Sequence, residues 1–181
     1  MGQALAKLSA TEFLEWEKLR TDRHEFILGE VFAMAGGTLE HNAAALRFAS
    51  TMMAHLTGTP CRVFMSDVRL RVEATDAYFY PDVVITCSSA DTKDSKATTI
   101  FNATVIVEVL SPATAAFDRG AKFSHYRKLT ELKEYVLIDP DTRTVEVFRK
   151  NASSVWELHP AEPNFALESV NWAGDSTQLF D

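Results

Sequence analysis

The feature that most constrains the fold of this chain is the segment Thr104–Leu110, a run of aliphatic and β-branched residues broken only by Glu108. A run of this kind, without alternating polar residues, is typical of a strand that is buried on both faces of a sheet. A second apolar segment, Tyr78–Thr86, carries Asp82 directly after Pro81. The two segments predict an α/β domain in which a mixed sheet is covered on both faces.

Three segments have helical signals. Ser9 and Glu12 match a capping box, which predicts a helix that continues to about Thr21. Apolar residues recur at spacings of three or four through residues 39–58, and a third helix is predicted over about 114–129. These three helices could cover the faces of a sheet.

The rest of the chain alternates between strands and turns. Residues 24–35 are interpreted as a β-hairpin with its tight turn at Gly29-Glu30, and residues 134–149 as a second hairpin. The remaining predicted elements are strands over 61–65 and 68–73, a polar loop over 88–99, and short strands and loop after Asn151. With 181 residues, we expect a single domain over 1–181, with a core over about 9–150 and a tail over 151–181.

The overall charge limits which partners the chain attracts. There are 18 Lys and Arg against 25 Asp and Glu, a formal net charge of −7. The field of the whole molecule therefore repels polyanions, which argues against a non-specific nucleic-acid coat. A local basic groove remains compatible with this charge, because fields decay over about 8 Å at physiological salt.

The sequence has no membrane signal and few cysteines. No stretch approaches the roughly 20 consecutive apolar residues of a membrane span, and the first residues lack the apolar region of a signal peptide. We therefore expect a cytoplasmic protein without a membrane partner. Cys61 and Cys87 are too few for a disulfide framework or a four-cysteine zinc site, and both are predicted to be small buried apolar residues.

Asp82 and Glu108 each interrupt a segment that is otherwise apolar. A buried carboxylate costs several kcal/mol unless a cation, a set of donors or a proton compensates it. One shared metal ion would compensate both, and oxygen ligands without a Cys or His cluster favour Mg²⁺ or Mn²⁺. The alternative is that Asp82 caps a turn and Glu108 pairs with a nearby Arg.

The third predicted helix carries Asp118, Lys122 and Tyr126 at spacings of four, so they share one face. One interpretation is an ion pair on a solvated basic face. The other places Lys122 beside the two acids, where its ammonium could orient water and stabilise charge on a phosphate. Spacing alone leaves both interpretations open.

A set of motifs resembles the Uma family, a group of restriction-endonuclease-like proteins of the PD-(D/E)xK nuclease superfamily. The matching motifs, in the family's order, are 29–35, 40–42, 58–63, 80–84, 107–114, 118–122, Tyr126 and 134–139. The resemblance implies a restriction-endonuclease-like mixed β-sheet flanked by α-helices, with an N-terminal helix and β-hairpin.

The resemblance also implies site residues. Asp82 and Glu108 would be metal ligands, with the backbone carbonyl of Val109 as a further ligand. The superfamily's usual lysine, two residues after the second acid, is Leu110 here. Its catalytic role is therefore assigned to Lys122, which matches the lysine of the following helix in the family.

Four further residues are candidates to support these ligands: Glu30, His41, Asp118 and Tyr126. Glu30 could instead be an acid of the hairpin turn, and His41 a surface residue at a helix start. The family often has Asp before the Gly-Glu of that turn, where this chain has Leu28, which weakens a role for the turn.

These residues predict an enzyme, a Mg²⁺-dependent (or Mn²⁺-dependent) endonuclease that hydrolyses DNA phosphodiester bonds. One alternative is a non-enzymatic nuclease-like module for DNA binding or protein assembly. A second is a metal-dependent phosphoesterase that acts on a small nucleotide. A homodimer is left open.

Overall fold

The computed structural model describes residues 4–34, 36–161 and 163–180. Within these residues the helices are α1 (Ala10–Glu17), α2 (Leu39–His55), α3 (Ser89–Thr92), α4 (Ala115–Phe117) and α5 (Phe123–Tyr126). The strands are β1 (Ala6–Lys7), β2 (His24–Ile27), β3 (Glu30–Ala33), β4 (Arg62–Met65), β5 (Arg69–Val72), β6 (Ala77–Phe79), β7 (Val83–Thr86), β8 (Thr99–Ile100), β9 (Ala103–Val109), β10 (Glu134–Asp139), β11 (Thr144–Lys150), β12 (Trp156–Ala161), β13 (Asn164–Leu167) and β14 (Trp172–Asp175).

The strands form two larger sheets. The first has the order β1-β3-β2-β6-β5-β8, and the second has the order β12-β11-β10-β9-β7-β4. Within the second sheet, β9 and β10 are parallel and their other neighbours are antiparallel. The α/β class and the mixed sheet are therefore confirmed, but the single sheet expected from the sequence is wrong.

The split between the sheets falls inside the predicted strand over 78–86. Residues 77–79 pair in the first sheet, and residues 83–86 pair in the second. Pro81 lies between them and has no N–H to donate to a ladder, so continuous pairing through it is disfavoured. The chain therefore crosses between sheets just before Asp82.

The second sheet is covered differently on its two faces. One face packs on α2 through Phe48 and Met52, and on C-terminal residues that include Leu167. The other face packs on the first sheet and on α5, through residues such as Phe79 and Tyr126. The first sheet thus covers a face for which the sequence predicted helices. Periodicity did not predict this, because it does not indicate which strands pair with β5 and β6.

Helix α1 has the predicted start and an earlier end. The Ser9 side chain accepts the Glu12 N–H and the Glu12 carboxylate accepts the Ser9 N–H, which is the complete capping box. The helix ends at Glu17 rather than near Thr21, and residues 18–22 are all exposed. A further helical turn there would bury no apolar side chains and would therefore gain no stability from packing.

The first hairpin forms as predicted, with its turn one residue earlier. Ile27 pairs with Glu30, so Leu28 and Gly29 form the two-residue turn. Both have positive φ, +49° at Leu28 and +90° at Gly29. That conformation suits Gly, Asn and Asp, which gives a physical reason for the Asp that the family often has at the position of Leu28.

The prediction for the cysteines is wrong. Cys61 and Cys87 form a disulfide that joins the segment before β4 to the end of β7. By the loop-entropy argument, a crosslink over a separation of 26 residues stabilises the fold by about 3 kcal/mol. Structural disulfides are rare in reducing compartments. The disulfide therefore gives no support to the cytoplasmic location, which remains a prediction from the sequence.

Among the described residues, no helix is both long enough and apolar enough to cross a membrane.

Candidate active site

Strand register brings Asp82 and Glu108 together. Val83 pairs with Val107 across the antiparallel strands β7 and β9, so Asp82 stands opposite Glu108, one position beyond this pair. Val83 and Val107 both contribute to the core against α2. Because successive residues of a strand point to opposite faces, Asp82 and Glu108 share the other face.

Asp82 is held from two directions. Its Oδ1 lies 3.0 Å from His41 Nε2, and its Oδ2 accepts the backbone N–H of Val109 at 2.7 Å. His41 is on the first turn of α2, whose N-cap Thr38 accepts the His41 N–H. The hydrogen bond to Asp82 raises the pKa of His41, although burial opposes this shift. The alternative of a surface histidine is therefore wrong.

Glu108 is a buried carboxylate with two partners. Its Oε1 accepts the Tyr126 hydroxyl at 2.7 Å and lies 2.9 Å from Lys122 Nζ. Burial raises the pKa of Glu108 well above its usual range, and the neighbouring acids add to the shift while Lys122 opposes it. The partner is a lysine rather than the arginine that the alternative interpretation named.

Lys122 reaches Glu108 from an irregular helix. The helix predicted over 114–129 is present as one helical run over 115–126, which ends earlier and contains a π-helical turn, Asp118–Lys122, between α4 and α5. Lys122 Nζ lies 2.9 Å from Glu25 Oε1 and 3.7 Å from Asp118 Oδ1. Burial alone would lower the pKa of Lys122, but the three carboxylates outweigh it and hold the pKa well above its usual range.

Glu25 is the site residue that the sequence interpretation missed. It lies on β2, where all four residues are buried, and it lines the same cavity as Asp82 and Glu108. Its sequence neighbours give no signal like that of Asp82 or Glu108, because Glu25 follows Arg23 and His24 and precedes the apolar residues instead of interrupting them.

Glu30 does not belong to the site, so its candidate role there is corrected. Its side chain is 45% exposed and lies 4.0 Å from Lys7 Nζ. It lines a separate surface groove with Ser9 and Leu28. Glu30 is therefore an acid beside the hairpin turn, as the alternative interpretation held.

A cavity of about 370 Å³ joins these groups. Its lining includes the four carboxylates of Glu25, Asp82, Glu108 and Asp118, with Lys122 and His41 as the basic side chains among the described residues. When all four carboxylates are ionised, their negative charge exceeds the positive charge of the two bases, and burial, which raises the pKa of Glu108, opposes that ionised state. Such a cavity favours an added cation.

The donor set fits a hard divalent ion that keeps other ligands. Within the described segments, no three Asp, Glu, His or Cys side chains converge as a complete metal cage. Mg²⁺ commonly uses only one or two protein carboxylates, together with water and substrate phosphate. Asp82 and Glu108 match that pattern, and Val109 also lines the cavity.

The fold is shared with a solved structure. The structure is similar to the crystal structure of "a putative nuclease belonging to DUF820" from Anabaena variabilis, with a TM-score of 0.78 and 22% identity. The superposition covers 96% of this chain and 97% of the other. The chain therefore has a nuclease-like fold.

The family follows from the sequence comparison. The family model described as "Uma2: Putative restriction endonuclease" matches residues 10–172, and the chain belongs to this family. Among its relatives is the uncharacterized protein slr1290 of Synechocystis sp., 33% identical over 166 residues, which are 91% of this chain and 86% of the relative. The uncharacterized protein sll1609 of the same organism is 34% identical over 151 residues, which are 83% of this chain and 85% of that relative.

Proposed function

We propose that this protein is a Mg²⁺-dependent (or Mn²⁺-dependent) nuclease that hydrolyses DNA phosphodiester bonds. The observation that carries the proposal is the cavity in which four carboxylates face one lysine and one histidine. The nuclease-like fold and the Uma2 family support the reaction class.

Asp82 and Glu108 are the residues that would hold the ion, with the Val109 carbonyl as a third candidate. The ion would supply Lewis acidity towards a phosphate oxygen and would make water more acidic. Glu108 would contribute a carboxylate oxygen, and the described contacts of Tyr126 and Lys122 both fall on Oε1. The Val109 N–H and His41 keep the Asp82 carboxylate oriented.

Lys122 is the residue that we assign to the reacting phosphate. In hydrolysis, water oxygen bonds to phosphorus, the bond from phosphorus to the leaving sugar oxygen breaks, and that oxygen receives a proton. A protonated Lys122 at the cavity floor would stabilise the negative charge that develops on the phosphate. Asp118 and Glu25 hold its ammonium in place.

The sequence departure at Leu110 has a structural counterpart. Leu110 is 4% exposed and packs in the core between the two sheets. A lysine at this position would have to bury its ammonium among apolar side chains. Lys122 instead approaches Glu108 from the π-helical turn, which supports the assignment of the lysine role to it.

Metal dependence is the first test. We expect the purified protein to cleave single-stranded or plasmid DNA in Mg²⁺ or Mn²⁺ and to lose cleavage in excess chelator, with recovery when the ion is restored. Gel assays measure cleavage, and isothermal titration with Mn²⁺ measures binding of the ion. Absence of divalent-ion binding, with unchanged thermal stability in chelator, would contradict the proposal and favour a non-enzymatic module.

A further inference from the structure

The reactive groups of the cavity lie at its floor. Glu108, Asp118 and Lys122 are only 4%, 3% and 5% exposed. A phosphate must therefore enter the cavity to reach them, and a volume of about 370 Å³ lies near the lower end of the roughly 300–1,000 Å³ of small-molecule sites. A cavity of this size suits one nucleotide better than a length of base-paired duplex.

The cavity lining also includes apolar and aromatic side chains. Met34 follows β3 and Phe117 ends α4, and both are half-buried and line the cavity. Tyr80 also lines it, with its hydroxyl held by Glu17 at 3.0 Å. Aromatic side chains beside a backbone site are surfaces on which unpaired bases stack.

The described lining of the cavity has few of the cations that bind a long phosphate backbone. Among its described lining residues, Lys122 is the one Lys or Arg, and it is already enclosed by carboxylates. Proteins that grip duplex DNA do so through many Lys and Arg contacts to phosphates. Within this cavity, the contacts open to a DNA strand are therefore the phosphate site at Lys122 and the proposed ion, and the apolar side chains of the lining.

We propose that the cavity takes a single unpaired nucleotide of single-stranded DNA, with its base against Phe117 and Met34 and its phosphate at Glu108 and Lys122. This inference rests on the proposed nuclease function and narrows its substrate. Duplex DNA is then a poor substrate, because a nucleotide must first leave the base stack.

The first experiment compares one labelled oligonucleotide as a single strand and as a blunt duplex in Mg²⁺. We expect the single strand to be cleaved about tenfold faster or more. Equal rates would overturn the inference and leave the nuclease proposal intact, whereas cleavage of neither would count against the nuclease proposal itself. Preference for RNA of the same sequence, or hydrolysis of mononucleotides alone, would also overturn the inference.

The second experiment tests the aromatic contact with a series of oligonucleotides that each contain one abasic position. Fluorescence anisotropy in Ca²⁺, under conditions without cleavage, measures the affinity. At the bound position, we expect loss of the base to weaken binding by the wild type about 5- to 100-fold. Phe117→Ala should weaken binding of the intact strand and lose most of this dependence on the base.

Phe101→Ala is the matched control, because Phe101 is 46% exposed and is not part of the cavity lining. It should retain the wild-type dependence on the base. If Phe117→Ala, verified as folded by its melting curve, responds to the abasic series as the wild type does, the stacking inference is wrong. Met34→Ala provides a second variant of the same wall should Phe117→Ala fail to fold.

Discussion

Replacing Glu108 with glutamine is expected to lower metal-dependent DNA cleavage, as kcat/KM, by at least about 100-fold. The substitution keeps the shape of the side chain but removes the negative charge that would hold a divalent ion. The same buried carboxylate has its pKa raised by burial, so its neutral replacement should fold. Cleavage kinetics over a Mn²⁺ titration measure the loss.

Glu131→Gln is the control for this variant, because Glu131 is exposed and lies outside the cavity lining. It removes the same charge and should leave kcat/KM unchanged. Melting curves of both variants check folding. Cleavage by a folded Glu108→Gln protein at the wild-type rate would rule out Glu108 as a metal ligand.

Replacing Glu134 with alanine is expected to lower the free energy of unfolding by about 3–5 kcal/mol, because it leaves the half-buried Arg149 Nε and two backbone donors without this acceptor. Glu134 is 0% exposed. It accepts Arg149 Nε at 2.8 Å and the backbone N–H groups of Glu168 and Ser169 at 3.0 and 3.1 Å. The Ser169 hydroxyl also donates to it.

For a chain of this size, that loss corresponds to a fall in Tm of roughly 6–20 °C. Chemical denaturation and thermal melting measure it, with Glu131→Ala as the exposed control. Hydrogen exchange should show the loss of protection first in the C-terminal residues 164–175, which Glu134 ties to β10. A Tm within a degree or two of the wild type would show that Glu134 does not anchor this segment.

The sequence predicted the central part of the site because burial and charge conflict there. A carboxylate in an apolar strand is a local signal, and it identified Asp82 and Glu108. Their shared face then followed from the antiparallel register of β7 and β9. Glu25 lacks this local signal, because it follows Arg23 and His24, and its place in the site depends on the tertiary contact with Lys122.

Other features depend on tertiary contacts that a single sequence does not encode locally. Cys61 and Cys87 meet because β4 and β7 pair, and register between distant strands cannot be derived from a spacing of 26. Asp118 and Lys122 remain in contact at the i, i+4 spacing in the π-helical turn, as a regular helix also predicts. The spacing therefore does not distinguish a π-helical turn from a regular helix, and only the packing of Tyr126 and Lys122 on Glu108 does.

The C-terminal tail shows the same limit. Short strands after Asn151 were predicted, but β12 pairs with β11 and extends the second sheet. Leu167 and Val170 enter the core beside α2. The apolar segment that contains them is too short to indicate where they pack.

The most direct test of the proposed metal site is a crystal of the protein soaked in Mn²⁺, with data collected for anomalous scattering. We predict one strong anomalous peak in the cavity, within coordination distance of carboxylate oxygens of both Asp82 and Glu108, and no peak there in Glu108→Gln. Absence of the peak at saturating Mn²⁺, with Lys122 still on Glu108 and His41 on Asp82, would contradict the proposed metal site.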